Sequence, residues 1–278
     1  MKIRCIAMDL DKTALALPES LGEENRAAIQ RAAEKGILFV AASGRPLGAL
    51  PEEIFHLPAF RYAITSNGAS VYDLRTGACL VQYKLTPESV CTVLEKTKAE
   101  GILFEAFIEG KGYAQDRYVE DPVRYGAGPG VLPYIQRTRT PVADMETFLL
   151  ENRENLDSLD IVVKEPEKKK RIWEYLEKEV EDIYVTSSVP QLLEISHKNA
   201  GKEKAAEFLM ARLGLERENL AAFGDGENDC GLLRFAGTGF AVENAVPACR
   251  EAADKVVSAF DRAGVAEGIR WILEESGL

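Results

Sequence analysis

Four stretches of the chain share one pattern, an apolar run that ends abruptly in a polar turn. Ile3, Cys5, Ile6, Ala7 and Met8 run into Asp9-Leu10-Asp11, and Ile37–Ala42 (ILFVAA) runs into Ser43-Gly44-Arg45-Pro46. Ala63-Ile64-Thr65 ends in Ser66-Asn67-Gly68, and Asn219–Phe223 ends in Gly224-Asp225-Gly226-Glu227-Asn228-Asp229. Short apolar runs bounded by turn residues predict buried strands. Helical patterns lie between them. Ser20-Leu-Gly-Glu23 reads as a capping box opening a helix, with Ala28, Ile29, Ala32 and Ala33 as its apolar stripe and Gly36 as its stop. Lys202–Leu213 predicts a helix that turns Ala205, Ala206, Phe208, Leu209 and Leu213 inward. Gly239–Val242 reads as a further strand, and Val265–Glu274 as a closing helix with Ile269, Ile272 and Leu273 on one side. Strands alternating with helices predict an α/β fold with a parallel sheet and crossover helices.

The middle of the chain breaks this rhythm. A helix over Pro87–Glu100 is followed by strands near Leu103–Ile108 and Gly112–Gln115 and an irregular Gly/Pro-rich stretch, Tyr125–Pro133. Strand Leu159–Val163, a charged helix Glu167–Glu181 and strand Ile183–Ser187 come next. Residues 85–190 therefore read as a domain inserted between two halves of one core, 1–84 and 191–278, because an inserted domain leaves and re-enters at neighbouring surface points. The run Lys168–Arg171 is flanked by Glu165, Glu167 and Glu174, which makes it a solvated helix face rather than an anion patch.

Composition narrows the function classes. A net charge of -11 argues against nucleic acid or an anionic membrane surface as the main partner. An acidic protein that handles anionic substrates needs a local positive site or a metal. The five cysteines, Cys5, Cys79, Cys91, Cys230 and Cys249, are scattered and lack metal-ligand spacing, which fits free thiols in a reducing compartment and a cytoplasmic protein. His56 and His197 are too few and too far apart for a histidine metal site. Arg4, Asp9 and Asp11 interrupt the first apolar run, so no signal peptide is read there, and no apolar run reaches membrane-spanning length.

The chemistry lies at the strand ends, where open parallel sheets bind ligands. Asp9 and Asp11 stand two apart, and like charges at close range are costly. A hard cation with oxygen ligands, such as magnesium, relieves that repulsion. An Asp-rich turn with no ligand accounts for the same two residues. Three more polar clusters occupy equivalent places: Ser43, Lys202, and Asp225 with Asn228 and Asp229.

In this order, MDLDKT, AASGR, TSNGA, AGKEKAAEFL, FGDGENDCGLL and the AVENA–ADKV–GVAEGI tail resemble the haloacid dehalogenase superfamily of phosphohydrolases. The match is to the Cof-like sugar-phosphate phosphatases, which carry a large α/β cap between the second and third motifs. The resemblance implies a Rossmann-like parallel-sheet core with an inserted α+β cap that sets specificity. It implies a magnesium-dependent phosphatase for small phosphorylated metabolites, working through an aspartyl-phosphate. By the same resemblance Asp9 is the nucleophile and Asp11 the general acid and then base. Magnesium is held by Asp9, the Asp11 backbone carbonyl and Asp225, with Asn228 and Asp229 supporting that shell. Ser43 and Lys202 hold phosphoryl oxygens. Asn67 and Asn244 shape the site.

This chain departs from the family pattern at Lys12 and Glu203, where glycine is usual, at Ala14, where leucine is usual, and at Phe260, where asparagine is usual. None of these removes a catalytic group. Lys12 points either to solvent or toward the phosphate. A phosphomutase or phosphotransferase of the same fold, and a non-catalytic relative, are the rival readings. Retention of both Asp9 and Asp11 disfavours the second.

Overall fold

A parallel strand covered on both faces must be apolar throughout, and CIAM, TGFAV and LAAFG are buried at every position. The computed structural model describes residues 3–16 and 19–276. The chain first forms β1 (Cys5–Met8), β2 (Leu38–Ala42), β3 (Phe60–Thr65), β4 (Ser70–Asp73) and β5 (Ala78–Gln82). It continues through β6 (Leu103–Ile108), β7 (Lys111–Gln115), β8 (Arg139–Val142), β9 (Ser158–Val162), β10 (Ile183–Thr186) and β11 (Leu192–His197). It ends with β12 (Leu220–Gly224), β13 (Thr238–Val242) and β14 (Lys255–Val257). Among the described residues, two sheets result, ordered β14-β13-β12-β1-β2-β3-β4-β5 and β10-β11-β9-β6-β7-β8.

The first sheet is parallel from β14 to β3, and β4 returns antiparallel to β3. β1 lies at its centre, between β12 and β2. Asp9 N–H donates to the Phe223 carbonyl at 3.0 Å, so the two acidic turns leave neighbouring strands side by side. The helix after β1 begins at Glu23 rather than in a capping box. Gly22, at φ 71°, is its N-cap and no side chain caps it, while Ser20 is drawn into a bridge with Ala16. The sequence pattern also misses β4, β5, β8, β14 and the helix Met145–Glu151, all short, with little periodicity to show.

The chain packs as two units. One comprises the residues up to Gly44, Leu50–Val81 and those from Gly201 onward; the other comprises Arg45–Ala49 and Gln82–Ala200. Residues 191–200, where the core-like rhythm of the sequence resumes, follow β11 into the second unit, because Leu192–Ser196 pair with Ser158–Val162. Arg45–Ala49 joins it too, with Gly48 N–H donating to the Gly110 carbonyl at 3.0 Å.

The second sheet is antiparallel except for the β7–β8 pair. Val93, Leu94, Ile161, Ile172, Leu176, Leu193 and Ile195 form its larger apolar cluster, with the helices Pro87–Thr97 and Pro166–Glu179. Glu105, Asp160 and Glu194 lie in register across three adjacent strands and are all buried. Arg139 pairs with Glu105 at 2.6 Å. Burial, reinforced by Glu194 and Glu105, holds the Asp160 carboxyl well above the usual carboxylate range.

Candidate active site

The end of β1 delivers Asp9 into a buried position, 5% exposed, while Asp11, two residues further, is exposed. From the start of helix Lys202–Leu213, Lys202 reaches it. Its Nζ, with a side chain 0% exposed, donates to Asp9 Oδ1 at 2.7 Å and to Asp229 Oδ1 at 2.6 Å. A buried ammonium between two buried carboxylates is stable only when such hydrogen bonds offset its desolvation. Burial alone lowers the Lys202 pKa, but Asp229 and Asp9 outweigh it and hold the amine firmly protonated.

The turn after β12 is organised by Asp229. Its Oδ2 accepts from the backbone N–H groups of Asp225 and Gly226, both at 3.0 Å, and this folds the GDGEND segment back on itself. Asp225 then faces the first turn, where Thr13 Oγ1 donates to Asp225 Oδ1 at 2.9 Å. Burial, then the neighbouring Asp229, push the Asp225 carboxyl up to about 6. Burial likewise raises Asp9 well above the ordinary carboxylate range; Asp229, Asp225 and Asp11 add to the rise and Lys202 opposes it.

Ser43 sits buried just beyond β2, its N–H donating to the Ile64 carbonyl at 2.9 Å, and the Asn67 N–H donates to the Ser43 carbonyl at 3.1 Å. Ser66 and Asn67 adopt positive φ, 47° and 53°, and Gly68 follows at 92°. Only glycine fits at 68, since a Cβ there would lie 2.3 Å from the Gly201 carbonyl oxygen. The Gly201 N–H donates to the Asn67 carbonyl at 2.9 Å, so this turn fixes the residue that precedes Lys202. Asn228 Nδ2 closes the ring by donating to Asn67 Oδ1 at 3.0 Å. On the far side Asn244 Nδ2 donates to the Lys12 carbonyl at 2.9 Å, and Lys12 is itself exposed at φ 59°.

The structure thus brings Asp9, Lys202, Asp225 and Asp229 together and sets Asn228, Asn67 and Thr13 around them. Among the described residues, carboxylate oxygens of Asp9, Asp225 and Asp229 lie within 4.8 Å of one another. Three hard oxygen donors at that spacing fit a hard divalent cation such as magnesium, whose positive charge would offset the mutual repulsion that adds to the effect of burial at Asp9 and Asp225. Asp229 lies inside this acidic group, with its Oδ1 accepting from Lys202 and its Oδ2 from the backbone of its own turn. The bond from Thr13 to Asp225 spans 212 positions and carries no local signal in the sequence.

A family model described as haloacid dehalogenase-like hydrolase matches residues 6–269. The 5-amino-6-(5-phospho-D-ribitylamino)uracil phosphatase YcsE of Bacillus subtilis (strain 168) is 27% identical over 273 residues, spanning 98% of this chain and 96% of its own. A second protein of that name from the same strain, YwtE, is 28% identical over 291 aligned positions and spans 98% of each chain. The solved structure of a haloacid dehalogenase-like hydrolase from B. subtilis is similar at a TM-score of 0.82 and 26% identity, covering 96% of this chain and 99% of that one. Among the described residues, no helix is long and apolar enough to cross a membrane.

Proposed function

The chain belongs to the haloacid dehalogenase-like hydrolases and is a phosphatase of that family, and from that premise we propose that it hydrolyses small phosphorylated metabolites, sugar phosphates foremost, in the cytoplasm with magnesium. The observation that carries the reading is the meeting of Asp9, Lys202 and Asp229, drawn from positions 193 and 27 residues apart around one ammonium. Relatives named for a phosphorylated ribityl compound support a substrate with a phosphorylated polyhydroxyl chain.

Asp9 is the nucleophile in this reading. Lys202 fixes its Oδ1 and so orients the carboxylate for attack on phosphorus. Asp11 protonates the leaving oxygen, and its exposure lets it exchange that proton with solvent. The resulting aspartyl-phosphate is cleaved when Asp11 takes a proton from water and the water attacks phosphorus, which frees phosphate and regenerates Asp9. Ser43 holds a phosphoryl oxygen. Lys202 has three N–H donors, of which two go to Asp9 and Asp229, and the third goes to the phosphoryl group. Asp9, Asp225 and the Asp11 carbonyl would hold magnesium, with Asn228 and Asp229 ordering the turn that carries Asp225. Bound there, the ion would neutralise carboxylate charge and stabilise charge that develops on the phosphoryl oxygens.

A phosphate-release screen over sugar phosphates, nucleotides and cofactor phosphates, with magnesium and with EDTA, tests the reading. Magnesium-dependent release from sugar phosphates is expected. No release from any compound would overturn it.

A further inference from the structure

Helix Glu23–Glu34 buries Asn25, Ala28, Ile29 and Ala32, an asparagine among apolar residues. Asparagine is a poor helix former, and burying its amide is costly unless both ends find partners. Asn25 is 2% exposed and uses both ends. Its Nδ2 donates to the Ala14 carbonyl at 3.0 Å, and its Oδ1 accepts from the Ala266 N–H at 2.9 Å. Ala266 lies in the first turn of helix Gly264–Ser276, where backbone N–H groups lack a partner within the helix. The ladder of that helix begins one residue later, with the Glu267 N–H donating to the Ala263 carbonyl at 3.1 Å. Asn25 thus caps a helix 241 positions away and holds Ala14 with the same group. These residues all belong to the first unit.

Ala14 closes the turn that presents Asp11. The Leu10 carbonyl accepts from the N–H groups of Thr13, Ala14 and Leu15, at 3.4, 3.1 and 2.8 Å, which winds residues 10–15 into one tight loop. Within it Leu15 pairs with Asp11 in an isolated bridge. The Ala14 carbonyl therefore anchors the strip of backbone against which Asp11 is set. The Lys12 carbonyl is held by a second asparagine, Asn244, whose Oδ1 accepts from the Phe260 N–H at 3.0 Å. The two asparagines differ in what can replace them. Asn244 is exposed, so water can take over its bonds. Ala14 and Ala266 are 0% exposed, so the bonds of Asn25 have no such substitute.

We infer that Asn25 is a positioning residue for phosphoryl transfer: by fixing the Ala14 carbonyl against helix Gly264–Ser276, it sets where Asp11 stands relative to Asp9. This role rests on the phosphatase reading above and deepens it.

Asn25→Asp separates the two tasks of the amide. At pH 8 its carboxylate still accepts from Ala266, at a helix N-terminus that favours an anion, but it has no proton to give Ala14. Asn25→Ser is a second variant, with a side chain too short to make both bonds. Ile29→Ala, buried on the same helix, controls for lost packing. For the compound that the phosphate-release screen ranks first, both Asn25 variants should lower kcat at least about tenfold at saturating magnesium, with KM within about threefold, because a misplaced acid and base weakens the transition state alone. Consumption of acetyl phosphate by excess enzyme in a single turnover asks little of Asp11 and should stay within about threefold of wild type. Ile29→Ala should lower Tm and keep kcat. An Asn25→Asp protein with wild-type kcat, or one in which both reactions fall together, overturns the positioning role while leaving the phosphatase reading intact; so does failure of both Asn25 variants to fold. A wild type that consumes neither compound overturns the phosphatase reading and the positioning role with it.

Discussion

Lys202→Met is the perturbation whose cost the geometry states most clearly. Methionine keeps an unbranched stem but removes the ammonium, leaving Asp9 and Asp229 buried without it. At 2.7 Å, a unit charge pair at an effective dielectric of 20 is worth about 6 kcal/mol before desolvation is counted. Breaking a buried pair by removing one partner typically costs about 3–5 kcal/mol, because the other charge stays uncompensated. For a domain of this size that is a fall in Tm on the order of 10 °C. The sign of the pH dependence follows from the same charges. Without the ammonium, nothing opposes the burial that raises Asp9, which keeps its proton to higher pH when folded than when unfolded. The destabilisation is therefore fullest at pH 8 and shrinks as pH falls toward 5. Circular dichroism melts in EDTA at pH 5, 6.5 and 8 read this directly, and added magnesium should recover part of the loss. A Lys202→Met protein within about 1 kcal/mol of wild type at pH 8 would refute the reasoning.

Other residues give independent outcomes. Gly68→Ala places a Cβ 2.3 Å from the Gly201 carbonyl oxygen at φ 92°, so urea melts should show a loss of about 2 kcal/mol or more and activity should drop as Lys202 shifts. Asp160 titrates above its unfolded value, so the stability it contributes is present at low pH and lost as pH rises from about 4 through the raised folded value. Asp160→Asn, neutral and similar in shape, should match or exceed wild-type Tm at pH 8 and flatten the pH profile; a lower Tm at pH 8 with an unchanged slope contradicts this. Asp225→Ala should raise the magnesium concentration needed for half-maximal phosphate release by at least about tenfold, and an unchanged requirement would remove Asp225 from the metal site.

The sequence makes the strand ends legible because each is a contiguous event: CIAM into Asp9, LFVAA into Ser43, and LAAFG into Asp225. The chemistry of each turn is local, and the resemblance of six such segments supplies their order. What the sequence hides is long-range. That Lys202 bonds Asp9 and Asp229 at once, or that Thr13 reaches Asp225, depends on which strands become neighbours. The second unit is harder to read. β11 carries Glu194 and Ser196 inward, and Arg139 and Glu105 pair across a sheet, so polarity there does not mark the surface. Helices of five to seven residues, such as Asp116–Glu120 and Leu132–Thr138, are too short for a hydrophobic period to declare itself. The gathering of Arg137 with Arg45 across 92 positions around Tyr134 likewise carries no local signal.

The division of labour between Asp9 and Asp11 is the centre of the account. Asp11→Asn protein should bind magnesium, since its backbone carbonyl is the proposed ligand. With acetyl phosphate, whose leaving group needs little protonation, it should accept a phosphoryl group and stall. Asp9→Asn should form no adduct and lose turnover, because an amide is a poor nucleophile. Intact-protein mass spectrometry at acidic pH, with borohydride trapping to locate the modified residue, measures this most directly. One phosphoryl mass is expected on Asp9 in the Asp11→Asn protein and none in the Asp9→Asn protein. An adduct on Asp11, or wild-type turnover by Asp9→Asn, would contradict it.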